Sequence, residues 1–228
     1  MPTGLRIGIS AQSVDEALLT RFRHLPTAII SDSMSRLSAG GARLRPIGRV
    51  PFCGTALTVK TAPGDNLFPH KALDMARAGD VIVIDAGGDV TNAIVGERMI
   101  RLAEKASIAG LVVNGAVRDL AALREAAVPV FAAGVTHRGP YKNGPGEINY
   151  PVAIDGMVVC PGDVIVGDDD GLICVPRNVA EVVCREAERR AAEEDRIHPC
   201  DEPRDWVDAK LRALGCEFPD TLEQVAAE

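Results

Sequence analysis

The chain has 228 residues, 46% of them apolar and 25% charged, with a formal net charge of −7. That length suits one globular domain with an extension, since domains mostly run about 100–200 residues. Aromatics at 4% and a net negative charge argue against a nucleic-acid binder, which shows a basic face and rings for stacking. No apolar run reaches the roughly 20 residues of a membrane helix.

The N-terminal "MPTGLRIGIS" carries no basic segment followed by a long apolar one, so a cytoplasmic protein is expected. Six cysteines occur without a Cys-x-x-Cys pair, which reads as reduced thiols rather than a zinc site. Cys160 and Cys174 lie in apolar runs and are expected in the core. Twenty arginines stand against five lysines, and the planar guanidinium suits recognition of carboxylates.

In chain order, residues 14–24 and 27–38 read as helices, with Ser31 and Asp32 as cap residues and a stop near Gly40-Gly41. "GTALTVKTAPGDN" alternates and predicts a strand ending near Thr61, followed by a Pro-Gly turn. "DNLFPHKALDMARAG" predicts a helix capped by Asp65 and stopped at Gly79. "DVIVIDAGG" is a buried strand running into a glycine loop, and "NAIVGERMIRLAEKASIAG" is a helical stretch. "LVVNGAVRD" is a strand and its exit, "LAALREAAV" a helix, and "PVFAAGVTHRG" a further strand and loop. This alternation predicts parallel pairing with right-handed crossovers.

After residue 150 the pattern changes. Short apolar strands in "YPVAIDGMVVCPGDVIVGDDDGLICVP" are separated by Asp-Gly, Pro-Gly-Asp and Asp-Asp-Asp-Gly, which predicts an antiparallel meander. Residues 178–196 read as an amphipathic helix and residues 204–214 as a short one. Residues 1–196 are therefore taken as one α/β domain and 197–228 as a helical C-terminal extension.

Ligands of open parallel sheets bind beyond the carboxyl ends of the strands. The exits here are Asp85 to Asp89, Asn114 to Asp119, and Gly134 to Arg138. Arg118 beside Asp119 offers a cation for an acidic ligand and a carboxylate for a metal. Gly96 interrupts a helical pattern, so a helix is expected to begin there. Its first amides, at Glu97, Arg98 and Met99, would be free to bind an anion. No dense His or Asp cluster exists, so any ion would be a hard one, Mg²⁺ or Mn²⁺, held by one or two carboxylates and by water.

Each of these groups also has a plainer reading. Arg118-Asp119 alone is a surface turn, and Glu97 alone supports a helix dipole. His70, four residues after Asn66, alone is a capping or packing group. Asp168-Asp169-Asp170-Gly171 lacks the spacing of a calcium loop and reads as a hairpin turn. His137 and Arg138 read as loop residues. Nucleophile-elbow, phosphate-loop and dinucleotide fingerprints are missing.

The ordered set "GDNLFPHKALDMARAGDVIVIDAGG", "VGERM", "GLVVNGAVRD", "PVFAAG" and "GEINYPVAIDGMVVCPGDVIVGDDDGLICVP" resembles the RraA-like family over roughly residues 25–195. It is most similar to the branch of 4-hydroxy-4-methyl-2-oxoglutarate / 4-carboxy-4-hydroxy-2-oxoadipate aldolases. The resemblance implies a layered α/β/β sandwich of the swivelling-domain kind, assembled as trimers or hexamers, with a site between subunits. It implies that Asp119 ligates Mg²⁺ or Mn²⁺ and that Arg118 contacts pyruvate oxygens. The backbone from Gly96 through Glu97, Arg98 and Met99 would hold the pyruvate carboxylate, and the Glu97 side chain would face the metal's waters. Asn66 and His70 match a polar pair near the site, and Glu193 or Glu194 of a neighbouring subunit matches a glutamate near the metal. Two departures bear on the distal part of the substrate: Arg98 stands where a leucine is usual, and the tail beyond residue 196 matches the branch poorly.

The implied reaction is retro-aldol cleavage of a 4-hydroxy-2-oxo acid to pyruvate and a second 2-oxo acid, with oxaloacetate decarboxylation through the same enolate. Three alternatives stand beside it. Lys60, at a strand end, is the candidate for a Schiff-base aldolase. Arg118-Asp119 fits a metal-dependent lyase or decarboxylase on another 2-oxo acid equally well. The family also contains non-catalytic proteins that bind and inhibit a ribonuclease.

Overall fold

The computed structural model describes residues 3–196 and 204–218. They divide into two compact units, Met1–Ala191 and Ala192–Glu228. The division falls five residues before the boundary read from the sequence at 196.

The first unit begins with a short strand β1 (Leu5–Ile7) and the helices α1 (Glu16–Arg23) and α2 (Thr27–Ser33). Strands β2 (Arg45–Ile47) and β3 (Phe52–Thr61) come next, then α3 (Leu67–Met75), β4 (Asp80–Asp85), β5 (Ala93–Val95) and α4 (Glu97–Lys105). The chain continues through β6 (Gly110–Val117), α5 (Leu120–Glu125), β7 (Val130–Val135) and β8 (Gly146–Ile148). The hairpin strands β9 (Val152–Ile154) and β10 (Met157–Val159) precede β11 (Val164–Gly167), β12 (Leu172–Val175) and α6 (Ala180–Glu194). In the second unit, α7 spans Asp205–Ala213.

The main sheet runs β1-β8-β3-β4-β6-β7-β2. Its centre, β3-β4-β6-β7, is parallel, as the strand–helix alternation predicts. The strands β4 and β6 are buried along their whole length, which is why they are rich in Val, Ile and Leu.

Side-chain alternation sorts the core into layers. One face of the sheet, with Val59, Ile82, Ile84, Leu111 and Val113, packs against Leu73, Met99, Ile100 and Leu123 of α3, α4 and α5. The other face, with Ala56, Val81, Val83 and Val112, packs against Val152, Ile154, Met157 and Val159 of the β9–β10 hairpin. A third cluster joins β11 and β12 to α1, α2 and α6 through Phe22, Ile30, Val164, Val166, Ile173, Val175 and Cys184. The result is a mixed α/β architecture with helices on one face of the sheet and β structure on the other.

Four sequence readings need correction. Ser31 and Asp32 lie inside the last turn of α2 and do not cap a later helix. The cap of α2 comes from far away in sequence: Thr27 donates its amide and hydroxyl to Asp168, at 2.8 and 2.7 Å. The stretch before Gly96 is not helical, because Ala93–Val95 pairs with β6 as β5. The region after residue 150 is two separate hairpins, since Pro161-Gly162, with Gly162 at φ 90°, turns the chain and sends β11 back to pair with β3. Cys160 is exposed just past β10, whereas Cys174 is buried. The Asp168–Gly171 segment is the β11–β12 turn, as expected, closed by the Asp168 amide on the Gly171 carbonyl at 3.0 Å.

Candidate active site at the carboxyl ends of the strands

Because β4, β6 and β7 are parallel neighbours, their exits share one end of the sheet. Strand β5 lies alongside β6 and leads directly into α4. Arg118 donates its amide to the Val95 carbonyl at 2.9 Å, which fixes the end of β6 against the start of α4.

Asp119 takes the left-handed conformation at φ 59° and ψ 45°. That region penalises most side chains and is enriched in Asp and Asn. The twist directs the carboxylate toward α4, where its Oδ2 accepts the Glu97 amide at 3.0 Å. Gly96 makes this possible. A Cβ there would lie 2.5 Å from Asp119 Oδ2, 3.0 Å from Arg118 Cγ and 3.1 Å from Arg118 Nε. Gly96 is extended, at φ −148° and ψ −174°, so the glycine is required by close approach and not by backbone strain.

Arg118 Nε and Asp119 Oδ2 stand 3.7 Å apart, too far for a hydrogen bond, and both side chains are about two-fifths exposed, at 42% and 43%. Such a pair adds little stability. Both side chains keep donor and acceptor capacity for something else.

The start of α4 differs from a fully open amide row. Glu97 gives its amide to Asp119, and Met99 gives its own to Gly96 at 3.0 Å. Arg98 is the first-turn amide left over among the described residues. The Glu97 side chain also turns aside, accepting from Arg101 Nε at 3.0 Å one helical turn on. Glu97 is thus engaged along its own helix, as the i,i+4 spacing permits.

Asn66 and His70 come to the same region. Asn66 donates Nδ2 to the Ile94 carbonyl at 2.9 Å and to Met99 Sδ at 3.4 Å. Its Oδ1 is buried with no partner. An orphaned buried acceptor costs free energy unless a donor fills the gap. His70 is half-buried on α3, and desolvation pushes its pKa below the usual 6.5, with the nearby Lys142 and Arg98 lowering it further. The ring is therefore neutral at pH 7.

Lys142 was not singled out by the sequence, where "GPYKNGPG" reads as loop. Buried Asp65 brings it in. Its Oδ1 accepts from the Leu67 amide at 2.9 Å and its Oδ2 from the Asn143 amide, while Asn66 donates its amide to the Tyr141 carbonyl at 3.0 Å. The loop is thus tied to the start of α3. Arg98 and Lys142 lie near His70, and Arg118 lies beside Asp119, so this strand end carries cationic groups that an anionic ligand could meet.

Among the described residues no group of three or more His, Cys, Asp or Glu side chains could hold a metal. The donor set still suits a hard cation that keeps most of its water. Asp119 has one oxygen on the Glu97 amide and, among the described residues, a second oxygen with no bonded partner. Glu194 is the exposed last residue of α6 and belongs to the second compact unit. Concavities of about 590 and 760 Å³ lie elsewhere, one lined by Arg49, Phe52 and Cys53, the other by Leu37, Val158 and Cys160.

Residues 27–174 match the family model described as Aldolase/RraA. The chain belongs to the RraA-like family. It is 40% identical over 178 residues to a protein of Halalkalibacterium halodurans named "Putative 4-hydroxy-4-methyl-2-oxoglutarate aldolase", covering 78% of this chain and 85% of that one. It is 37% identical over 129 residues to the 4-hydroxy-4-methyl-2-oxoglutarate aldolase of Thermus thermophilus, covering 57% and 78%. Among solved structures, the RNA-processing inhibitor RraA from a Thermus species superposes with a TM-score of 0.62 at 34% identity, covering 66% of this chain and 92% of that one. The proteins this chain resembles thus include ones named for lyase chemistry and ones named for inhibition of RNA processing.

Proposed function

We propose that this protein is a divalent-metal-dependent aldolase that cleaves a 4-hydroxy-2-oxo acid, such as 4-hydroxy-4-methyl-2-oxoglutarate, into pyruvate and a second 2-oxo acid. The observation that carries the reading is the convergence of Arg118, Asp119 and the start of α4 on one point. A 2-oxo acid offers a carboxylate and a keto oxygen on adjacent carbons, which suit a free amide and a guanidinium as donors, while Asp119 is left for a cation.

Asp119, through its unbonded oxygen, would hold Mg²⁺ or Mn²⁺. When bound, the ion supplies Lewis-acid polarisation of the keto oxygen. Arg118 donates to the same oxygen, and its charge matters most when that oxygen becomes an enolate. The Arg98 amide at the start of α4 receives the substrate carboxylate. Arg98 and Lys142 add positive potential for a dianion. The C4 hydroxyl gives its proton to water and becomes a carbonyl as the C3–C4 bond breaks, the bond's electrons pass to the pyruvate enolate, and the methylene carbon takes a proton back from water. Loss of CO₂ from oxaloacetate yields the same enolate, so decarboxylation is expected as a side activity.

The homo-oligomeric assembly implied by the family, a trimer or hexamer, belongs to this reading. Arg118 and Asp119 are open on one side, which a neighbouring subunit and its Glu193 or Glu194 would cover. A cytoplasmic location is proposed with it. No described helix is long and apolar enough to cross a membrane.

Lys60 is a poor Schiff-base candidate in this fold. It is exposed and lies in register between the carboxylates Glu147 and Asp85 on β8 and β4. The second reading, a ribonuclease-binding regulator, is favoured by the likeness to the Thermus inhibitor. A pyruvate-release assay coupled to lactate dehydrogenase separates them, run on 4-hydroxy-2-oxo acids and oxaloacetate with Mg²⁺ or with EDTA. Turnover that requires the ion supports the aldolase. Capture of a ribonuclease with no pyruvate from any substrate supports the regulator. Turnover unaffected by EDTA but blocked by borohydride supports Lys60.

A further inference from the structure

A second polar cluster lies at this end of the sheet, on the face opposite the helices. Asp85 is the last residue of β4, and Asn114 faces it in register on β6. Both are more than nine-tenths buried, at 8% and 6% exposure. The preceding residues on that face are Val81, Val83 and Val112. Apolar side chains would be cheaper at 85 and 114 if only packing were needed.

Three hydrogen bonds fasten the β4 exit to β6 at these two residues, and a fourth braces the exit itself. Asp85 Oδ1 accepts from Asn114 Nδ2 at 3.1 Å and from the Gly87 amide at 3.0 Å. The Asn114 carbonyl accepts from the amides of Ala86 and Gly88, at 3.2 and 3.0 Å. Asn114 Oδ1 is buried and unpartnered. At the same place β6 carries one residue more than β7 between Val113 and Ala116, a bulge. Bulges bend a strand and re-aim the residues beyond the bend, and they need something to hold them.

The chain of contact continues to the site. A Cβ at Gly115 would lie 3.1 Å from Ile94 Cδ1 and 3.3 Å from Ala86 Cβ, so β6 is wedged between the β4 exit and β5. Two residues further along, Val117 pairs with Val95, whose carbonyl takes the Arg118 amide. Arg118 and Asp119 approach Gly96 so closely that any side chain there would displace them.

We propose that Asp85 and Asn114 are positioning residues, which fix the β6 bulge and thereby hold Arg118 and Asp119 against the start of α4. This rests on the aldolase reading for its kinetic consequence, but its structural content can be read without turnover. The test uses the full-length protein with Asp85→Ala, Asn114→Ala and the isosteric Asp85→Asn. If Asp85→Ala does not fold, Asp85→Ser keeps an acceptor for Gly87 without the reach to Asn114.

Two readouts are taken. Steady-state kinetics on the best 2-oxo acid substrate should show kcat down roughly 10- to 100-fold with KM changed much less, the range expected for small misplacements of catalytic groups. Asp85→Asn should recover to within about threefold, since its carbonyl can accept the same two N–H groups. The Arg118 side-chain Nε–H resonance, followed by ¹⁵N-arginine labelling and assigned with Arg118→Lys, should shift in the Ala and Ser variants and stay in place in Asp85→Asn. An unchanged resonance and unchanged kcat in folded Asp85→Ser and Asn114→Ala would overturn the proposal. If the wild-type protein turned over no 2-oxo acid, the aldolase reading would fall, and the resonance alone would still decide the positioning role.

Discussion

Gly96→Ala is the sharpest perturbation of the site that leaves every titratable group in place. The backbone there is extended, so alanine costs nothing in φ and ψ. The whole effect lies in the added methyl, which would stand 2.5 Å from Asp119 Oδ2 and 3.0 Å from Arg118 Cγ. Ordinary contact needs about 3.5 Å, so the carboxylate must move by about 1 Å. That movement breaks its 3.0 Å bond to the Glu97 amide. Overpacking of this sort typically costs about 1–3 kcal/mol, and here the flexible, part-exposed carboxylate favours the low end. For a chain of this size about 1 kcal/mol lowers the melting temperature by roughly 2–4 °C. The kinetic effect should be larger, since both Arg118 and Asp119 are displaced: kcat for pyruvate release should fall about 10²-fold. Thermal unfolding and the coupled assay on one preparation test both numbers. A Gly96→Ala protein with wild-type turnover would refute the claim that this close approach organises the site.

The same contacts lead to four further outcomes. Asp119→Asn keeps a carbonyl for the Glu97 amide, so stability should hold while Mg²⁺-dependent turnover falls by at least about 10²-fold; full activity would exclude the carboxylate as metal ligand. Arg118→Ala should lose about 10²–10³ in kcat, with Arg118→Lys recovering only part of it because the planar fork is lost. His70 has a folded pKa below its usual 6.5, so the unfolded chain binds the extra proton first, and stability falls as pH drops from about 6.5 toward the folded value. In His70→Gln that part of the pH dependence should vanish, as measured by urea unfolding between pH 5 and 8. Arg21 grips Glu188 through Nε and Nη2, both at 2.8 Å, and Glu181 through Nη1 at 2.9 Å, joining α1 to α6. The pairs are part-exposed, so Arg21→Ala should cost only about 0.5–1 kcal/mol. The Arg21 contact depresses the Glu188 carboxyl, so its share is present above the usual carboxylate value of 4.5 and lost as pH falls through the folded one.

The sequence exposed the parallel core because β4 and the first half of β6 are apolar runs flanked by Gly and Asp, with helical patterns between the strands. It pointed to a candidate site for the same reason: parallel exits share an end. The three-residue strands β1 and β2 were not legible, since Leu5–Ile7 and Arg45–Ile47 show no period and exist only through pairing with β8 and β7. The cap of α2 was hidden because Asp168 lies 141 residues from Thr27. At the site, the Arg118-Asp119 pair stood out as adjacent charges, but the direction of Asp119 depends on a left-handed backbone that no spacing rule reveals. The Glu97–Arg101 pair was visible as an i,i+4 spacing and competes with any role of Glu97 toward a metal. Lys142 reaches this end of the sheet by tertiary contact alone, and Asp85 and Asn114, though placed at strand exits, pair only through the β4–β6 register.

The most direct measurement is a crystal structure with oxalate, a mimic of the pyruvate enolate, and Mg²⁺. Our account places oxalate between the Arg118 guanidinium and the start of α4, with the ion on Asp119. Oxalate bound at another place, or Arg118 and Asp119 turned into bulk solvent with neither ligand near them, would contradict it.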